Sequence, residues 1–133
     1  MNTKEKNALQ AVFDIVQDFA EQHNLCVDCK VASAINQNEF MIYKPTNGNP
    51  IDSSIAYWCV DIQDKLTFSG IKPHAHIWQA CMFDHWDGGR YNITTPAGEK
   101  KFKRFLEKQL ESHQNRNQLK RHLRTKKQSH ATR

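Results

Sequence analysis

Apolar residues along the first part of the chain recur on a helical period. Leu9, Val12, Phe13, Val16, Phe19 and Ala20 fall three and four apart, so residues 4–23 are predicted to form a helix with one apolar stripe. Its other face carries Asp14, Asp18 and Glu21 and reads as a solvated acidic surface. Thr3 is placed to cap the first turn, and Asn24 can take the left-handed conformation that closes a helix. From Leu25 to Ile93 the period changes to two, with β-branched and aromatic residues between turn signals. Strands are predicted near 25–34, 39–44, 54–62, 65–69, 75–83 and 90–94. Asn36-Gln37-Asn38 supplies the first turn and Pro45 to Asp52 a longer loop. Gln63-Asp64 is expected to join a tight hairpin. Asp87-Gly88-Gly89 is expected to form another, because glycine reaches the positive φ that hairpin turns need.

Thr95-Pro96 opens a second helix, with threonine as cap, proline at the first helical position and Glu99 near the positive end of the dipole. Phe102, Phe105, Leu106 and Leu110 make its apolar stripe, which stops there; Leu119 and Leu123 stand isolated among polar and cationic residues. The expected organisation is a compact α+β domain over residues 1–112 and a basic tail, helical or disordered, over 113–133. The fold class is α+β: a helix, an antiparallel meander of five to six strands, and a C-terminal helix running into a basic arm, with both helices on one sheet face.

Composition changes this picture in two ways. At 133 residues and 38% apolar, the chain suits one domain with its own core. It has no apolar run long enough to span a bilayer, and no membrane partner is expected. Met1-Asn-Thr-Lys-Glu-Lys leads straight into the amphipathic pattern without a signal-peptide core, so the expected location is cytoplasmic. The second change is charge. Residues 1–99 carry 7 Lys/Arg against 12 Asp/Glu, a net of −5, whereas residues 100–133 carry 12 against 2, a net of +10. Arg116, Lys120, Arg121, Arg124, Lys126, Lys127 and Arg133 follow the last acidic residue, Glu111. So concentrated a positive field attracts polyanions, and phosphates are the groups such side chains contact. On a continued helix Arg116, Lys120, Arg124 and Lys127 would share one face.

Four cysteines in a cytoplasmic chain are expected to be reduced. Cys26-x-x-Cys29 has a zinc-like spacing, with Cys59, Cys81, His74 or His85 as further candidate ligands. Residues i and i+3 of a strand face opposite sides, however, so buried free cysteine is the preferred reading. His74 and His76, at i and i+2, point the same way and are the other candidate metal pair. Pro73-His74-Ala75-His76-Ile77-Trp78 resembles the metal-binding strand of the single-strand nickases of rolling-circle replication, and the resemblance implies metal-dependent nuclease chemistry. That family also uses a nucleophilic tyrosine on a helix. Here Tyr91, the one downstream tyrosine, is expected on a strand opposite Phe83, on the face away from the histidines. Asp84-His85 with Gly88-Gly89 and Asn92 resembles the core of HNH nucleases, though the loop is short and His113 lies far along a helix.

His74, His76 and Trp78, with Met82, are expected on an open sheet face where bases can stack; Ala75, Ile77, Cys81 and Phe83 should meet the helices. Gly-rich phosphate loops, Gly-x-Ser-x-Gly elbows and His-Glu-x-x-His helices are missing from the sequence, and no cofactor is expected. The function expected is that of a small accessory protein, more a binder than an enzyme, that takes nucleic acid or a ribonucleoprotein. Small phage and mobile-element proteins offer the analogy. An inhibitor or assembly factor that binds a protein through the sheet face is the alternative, and a nuclease using His74 and His76 the second.

Overall fold

The computed structural model describes residues 3–31, 38–80 and 85–131, and the side chains of the last helix as far as Asn115. Helix α1 (Thr3–Gln22) is followed by β1 (Cys26–Lys30), β2 (Asn38–Tyr43), a 3-10 turn (Pro50–Ser53), β3 (Ser54–Thr67), β4 (Gly70–Ala80), β5 (His85–Tyr91) and α2 (Pro96–Ala131). The strands form one antiparallel sheet in sequence order, and both helices pack on it: an α+β fold, as expected.

The α1 stripe forms the core as its spacing requires. Leu9, Val12, Phe13, Val16 and Phe19 are buried against Phe40, Ile42, Trp58, Val60, Ala75 and Ile77 of the sheet and Phe102 and Leu106 of α2. Asn24 adopts φ 55°, and the Leu25 amide donates to the Ala20 carbonyl at 2.8 Å, the six-residue closure that follows a left-handed cap. At the other helix the Thr95 hydroxyl accepts the Gly98 amide at 3.1 Å, as an N-cap does. Gly98 is also where α2 meets the preceding loop. A Cβ there would lie 1.9 Å from the Asn92 carbonyl oxygen, so only glycine fits.

Three turn expectations are corrected. Gln63 and Asp64 make no hairpin; they sit in the ladder opposite His74 and Pro73, and the predicted strands 54–62 and 65–69 are one. The chain reverses at Phe68-Ser69, where Gly70 takes φ 104°. Polar Gln63 and Asp64 are tolerated mid-strand because here the pair leaves the sheet. β2 pairs with β3 only as far as Val60, and β5 pairs with β4 only from Ala75 onward. The strand beginning predicted at 75 therefore starts at Gly70.

Asp87-Gly88-Gly89 is a β-bulge inside β5. Ile77 faces Gly89 and Trp78 faces Asp87, which leaves Gly88 as the extra residue. Gly89 has φ 99°, and a Cβ on Gly88 would come within 3.0 Å of the Ile77 carbonyl oxygen. The local demand for glycine was legible; the same conformation serves a bulge as well as a turn. The predicted strand 90–94 is accordingly the end of β5, and Tyr91 faces Ala75 rather than Phe83. Asn38, expected in a turn, is the buried first residue of β2 and donates to the Val60 carbonyl. Asn36, Gln37, Cys81, Met82, Phe83 and Asp84 lie outside the described residues.

Along α2, Phe102 and Leu106 are buried and Phe105 and Leu110 partly so. Phe102 meets Tyr91, Phe105 meets Trp58 edge-on, and Ser112 lines the same cleft as Ser54. The helix thus runs away from the β3–β4 turn and passes the far end of the sheet.

Candidate nucleic-acid interface

Strand alternation puts two different surfaces on the sheet. Ala75 and Ile77 are buried toward the helices, as their spacing predicts, so His74, His76 and Trp78 lie on the other face. Across the ladder they meet Gln63, Asp61 and Cys59 respectively. Their environment is more heavily bonded than the sequence suggests.

His76 is held from both sides. Arg90 Nε donates to Gln63 Oε1 at 3.2 Å, which turns the Gln63 amide nitrogen toward His76 Nδ1 at 3.4 Å. His76 Nε2 meets Asp87 Oδ1 at 3.1 Å, and Arg90 returns to the other Asp87 oxygen at 3.7 Å. With the Gln63 amide nitrogen as donor, Nδ1 accepts and Nε2–H donates to Asp87. The four side chains close a ring over β3, β4 and β5. Asp87 is held below the ordinary carboxylate range, first by the Gly89 amide, which donates to it at 2.9 Å, then by His76 and Arg90.

Trp78 Nε1 donates to Asp61 Oδ2 at 2.8 Å. The second oxygen, Asp61 Oδ1, is buried with no hydrogen-bond partner. Burial pushes the Asp61 carboxyl up, and the Trp78 bond and nearby His76 only partly offset it. His74 Nδ1 lies 3.1 Å from the Lys72 carbonyl oxygen; a carbonyl can only accept, so Nδ1 carries the proton.

Both nitrogens of His76 are occupied, and among the described residues no group of three or more His, Cys, Asp and Glu is placed to hold a metal ion. Cys26 sits opposite Tyr43 and Cys29 opposite Phe40, on opposite sheet faces. The expectation of buried core cysteines is corrected: Cys26 and Cys59 are half-buried and Cys29 is an exposed edge-strand residue. The Cys29 thiol is pushed up to about 11 by the packing around it, with Asp28 adding to the effect. Cys59 is raised by burial and by Glu39 and Asp61. Thiols raised in this way stay protonated at neutral pH and are poor nucleophiles. Cys81 is outside the described residues.

Arg116, Lys120, Arg121, Arg124, Lys126 and Lys127 lie on the α2 backbone beyond Asn115, the last residue of the helix whose side chain is described; Arg133 is outside the described residues. Two groups of residues escaped the sequence reading. The Asp61, Gln63, Asp87 and Arg90 partners of the histidine strand come from the two strands that flank it, β3 and β5, and only the register reveals them. The β3–β4 turn had a signal, Ser69-Gly70, outweighed by the polar pair Gln63-Asp64. No described helix is long and apolar enough to cross a membrane. Compared with family models, with curated proteins and with solved structures, the chain has no match.

Proposed function

We propose that the chain is a non-enzymatic accessory protein that binds nucleic acid, free or within a ribonucleoprotein. In this reading the basic end of α2 supplies electrostatic affinity and the folded body gives it a place to start from. One observation carries the reading: α2 is 36 residues long, Leu110 is the last of its described residues packed on the core, and every charged residue after Glu111 is cationic. A stretch whose sequence offers only Leu119 and Leu123 as large aliphatic residues has little to gain from apolar packing, while its cations gain from neutralising phosphates.

The test is binding of short single- and double-stranded DNA and RNA across a salt series. The full chain is compared with a full-length variant in which Arg116, Lys120, Arg121, Arg124, Lys126 and Lys127 are changed to Gln. Affinity should fall steeply with salt in the wild type, and the variant's log–log slope should be shallower by about five. Absence of binding by the wild type at low salt would end this reading.

A protein partner on the open sheet face is the second reading. It is favoured by the 41% exposed Tyr57, which with Phe40, Met41, Asp28 and Glu39 lines a depression of about 280 Å³. An exposed aromatic over a shallow depression is typical of such contacts.

A further inference from the structure

Beyond Ile62 the β3–β4 pair stands clear of both neighbouring strands as a two-stranded ribbon. Its two faces differ sharply. Leu66 faces Ile71 on one side, and these are 84% and 59% exposed. Lys65 faces Lys72 on the other. Phe68 occupies the turn itself and is fully exposed. The turn is braced: Thr67 Oγ1 donates to the Gly70 carbonyl at 2.7 Å and accepts the Ser69 amide at 3.2 Å.

Neither face is self-sufficient. Three large apolar side chains on a rigid tip lack cover, and two lysines directly across a ladder repel each other. An anion beside the lysines relieves the second problem and an apolar or π surface beside Phe68 relieves the first. Behind the lysines Gln63, His74 and Arg90 are engaged with His76, the Lys72 carbonyl and Asp87, so the contact is confined to the tip. A base step supplies both needs at once, a π surface between flanking phosphates.

We infer that the ribbon is a wedge for duplex DNA: Phe68 enters a base step from the minor groove while Lys65 and Lys72 contact the flanking phosphates. The inference rests on the nucleic-acid reading above but uses a different part of the molecule, since α2 leads away from the ribbon. Phe and Leu are residue types that unstack base steps in this way, and a braced turn loses little entropy on insertion.

The test uses the full chain and a duplex carrying 2-aminopurine, whose fluorescence rises on unstacking. Wild type should raise the signal. Phe68→Ala should abolish the rise and weaken binding roughly tenfold, whereas Phe68→Trp should retain both. Lys65→Gln with Lys72→Gln should lower the salt slope by about two. Because Phe68 packs on nothing, an unchanged melting temperature should accompany its loss. Duplex binding with no fluorescence change and no effect of Phe68→Ala would overturn the wedge and leave the nucleic-acid reading standing. Binding to single strands alone, or Phe68-dependent binding to anionic phosphatidylserine vesicles without a duplex effect, would also overturn it. No binding to any nucleic acid would remove both.

Discussion

The two faces of the sheet are built from the same strands on opposite physical terms. Toward the helices, Phe40, Trp58, Val60, Ala75 and Ile77 meet α1 and α2, and Phe102 touches Phe40, Tyr91 and Phe105. Toward the other side, Asp61, Gln63, His76, Trp78, Asp87 and Arg90 are linked by hydrogen bonds that leave one Asp61 oxygen without a partner. Apolar burial drives folding in proportion to area, whereas a hydrogen bond largely exchanges one partner for another. Stability should therefore reside on the covered face, while the open face holds groups in position at little net gain or at a cost.

The sharpest way to break this comparison is Phe102→Ala. The residue is fully buried and meets three aromatic rings, so the loss should be about 3–5 kcal/mol, read from denaturant unfolding. A loss no larger than that of His76→Ala would show the division of labour to be mistaken.

Gly98→Ala should come next. Its new methyl meets backbone, which cannot rotate aside, and the cost should be roughly 1–3 kcal/mol through displacement of the first turn of α2. Near-neutral behaviour in thermal melts would mean that the helix start is loosely docked.

Asp61→Asn should give the smallest effect and the opposite sign. The Asp61 carboxyl is pushed up by burial, so the folded state holds that proton more tightly than the unfolded chain does. Its contribution is favourable below the ordinary carboxylate pKa and is lost as pH rises through the raised folded value. At neutral pH the charge is therefore a cost. The asparagine variant, which keeps an acceptor for Trp78 Nε1, should melt slightly higher than wild type near pH 7. The gain should vanish as pH falls through the carboxylate range. A gain that persists in acid would place the cause elsewhere, and a loss at pH 7 would show that the carboxylate is held by more than Trp78 and His76.

Legibility in the sequence followed the range of the interaction. The α1 stripe, Asn24 as left-handed cap and Thr95 as N-cap were readable because each depends on residues within a turn or two. Alternation in Pro73–Trp78 correctly divided His74 and His76 from Ala75 and Ile77. It could not indicate that Gln63 would reach His76 from thirteen residues away, or Trp78 reach Asp61 from seventeen. Nor could it tell a bulge from a turn at Gly88-Gly89, since both use a positive φ and only the opposing strand counts the extra residue.

The chain by itself determined a helix–meander–helix order, the faces of each element and the separation of negative body from positive end. These follow from local period and composition, which no partner strand can alter. Tertiary structure alone decided the register of β3 on β4. That register carried the reversal on to Phe68-Ser69, freed a ribbon from the sheet, opposed Lys65 to Lys72 and closed the ring around His76. The reason is physical: alternation specifies which side a residue faces, but which residue stands across from it depends on where the chain turns back.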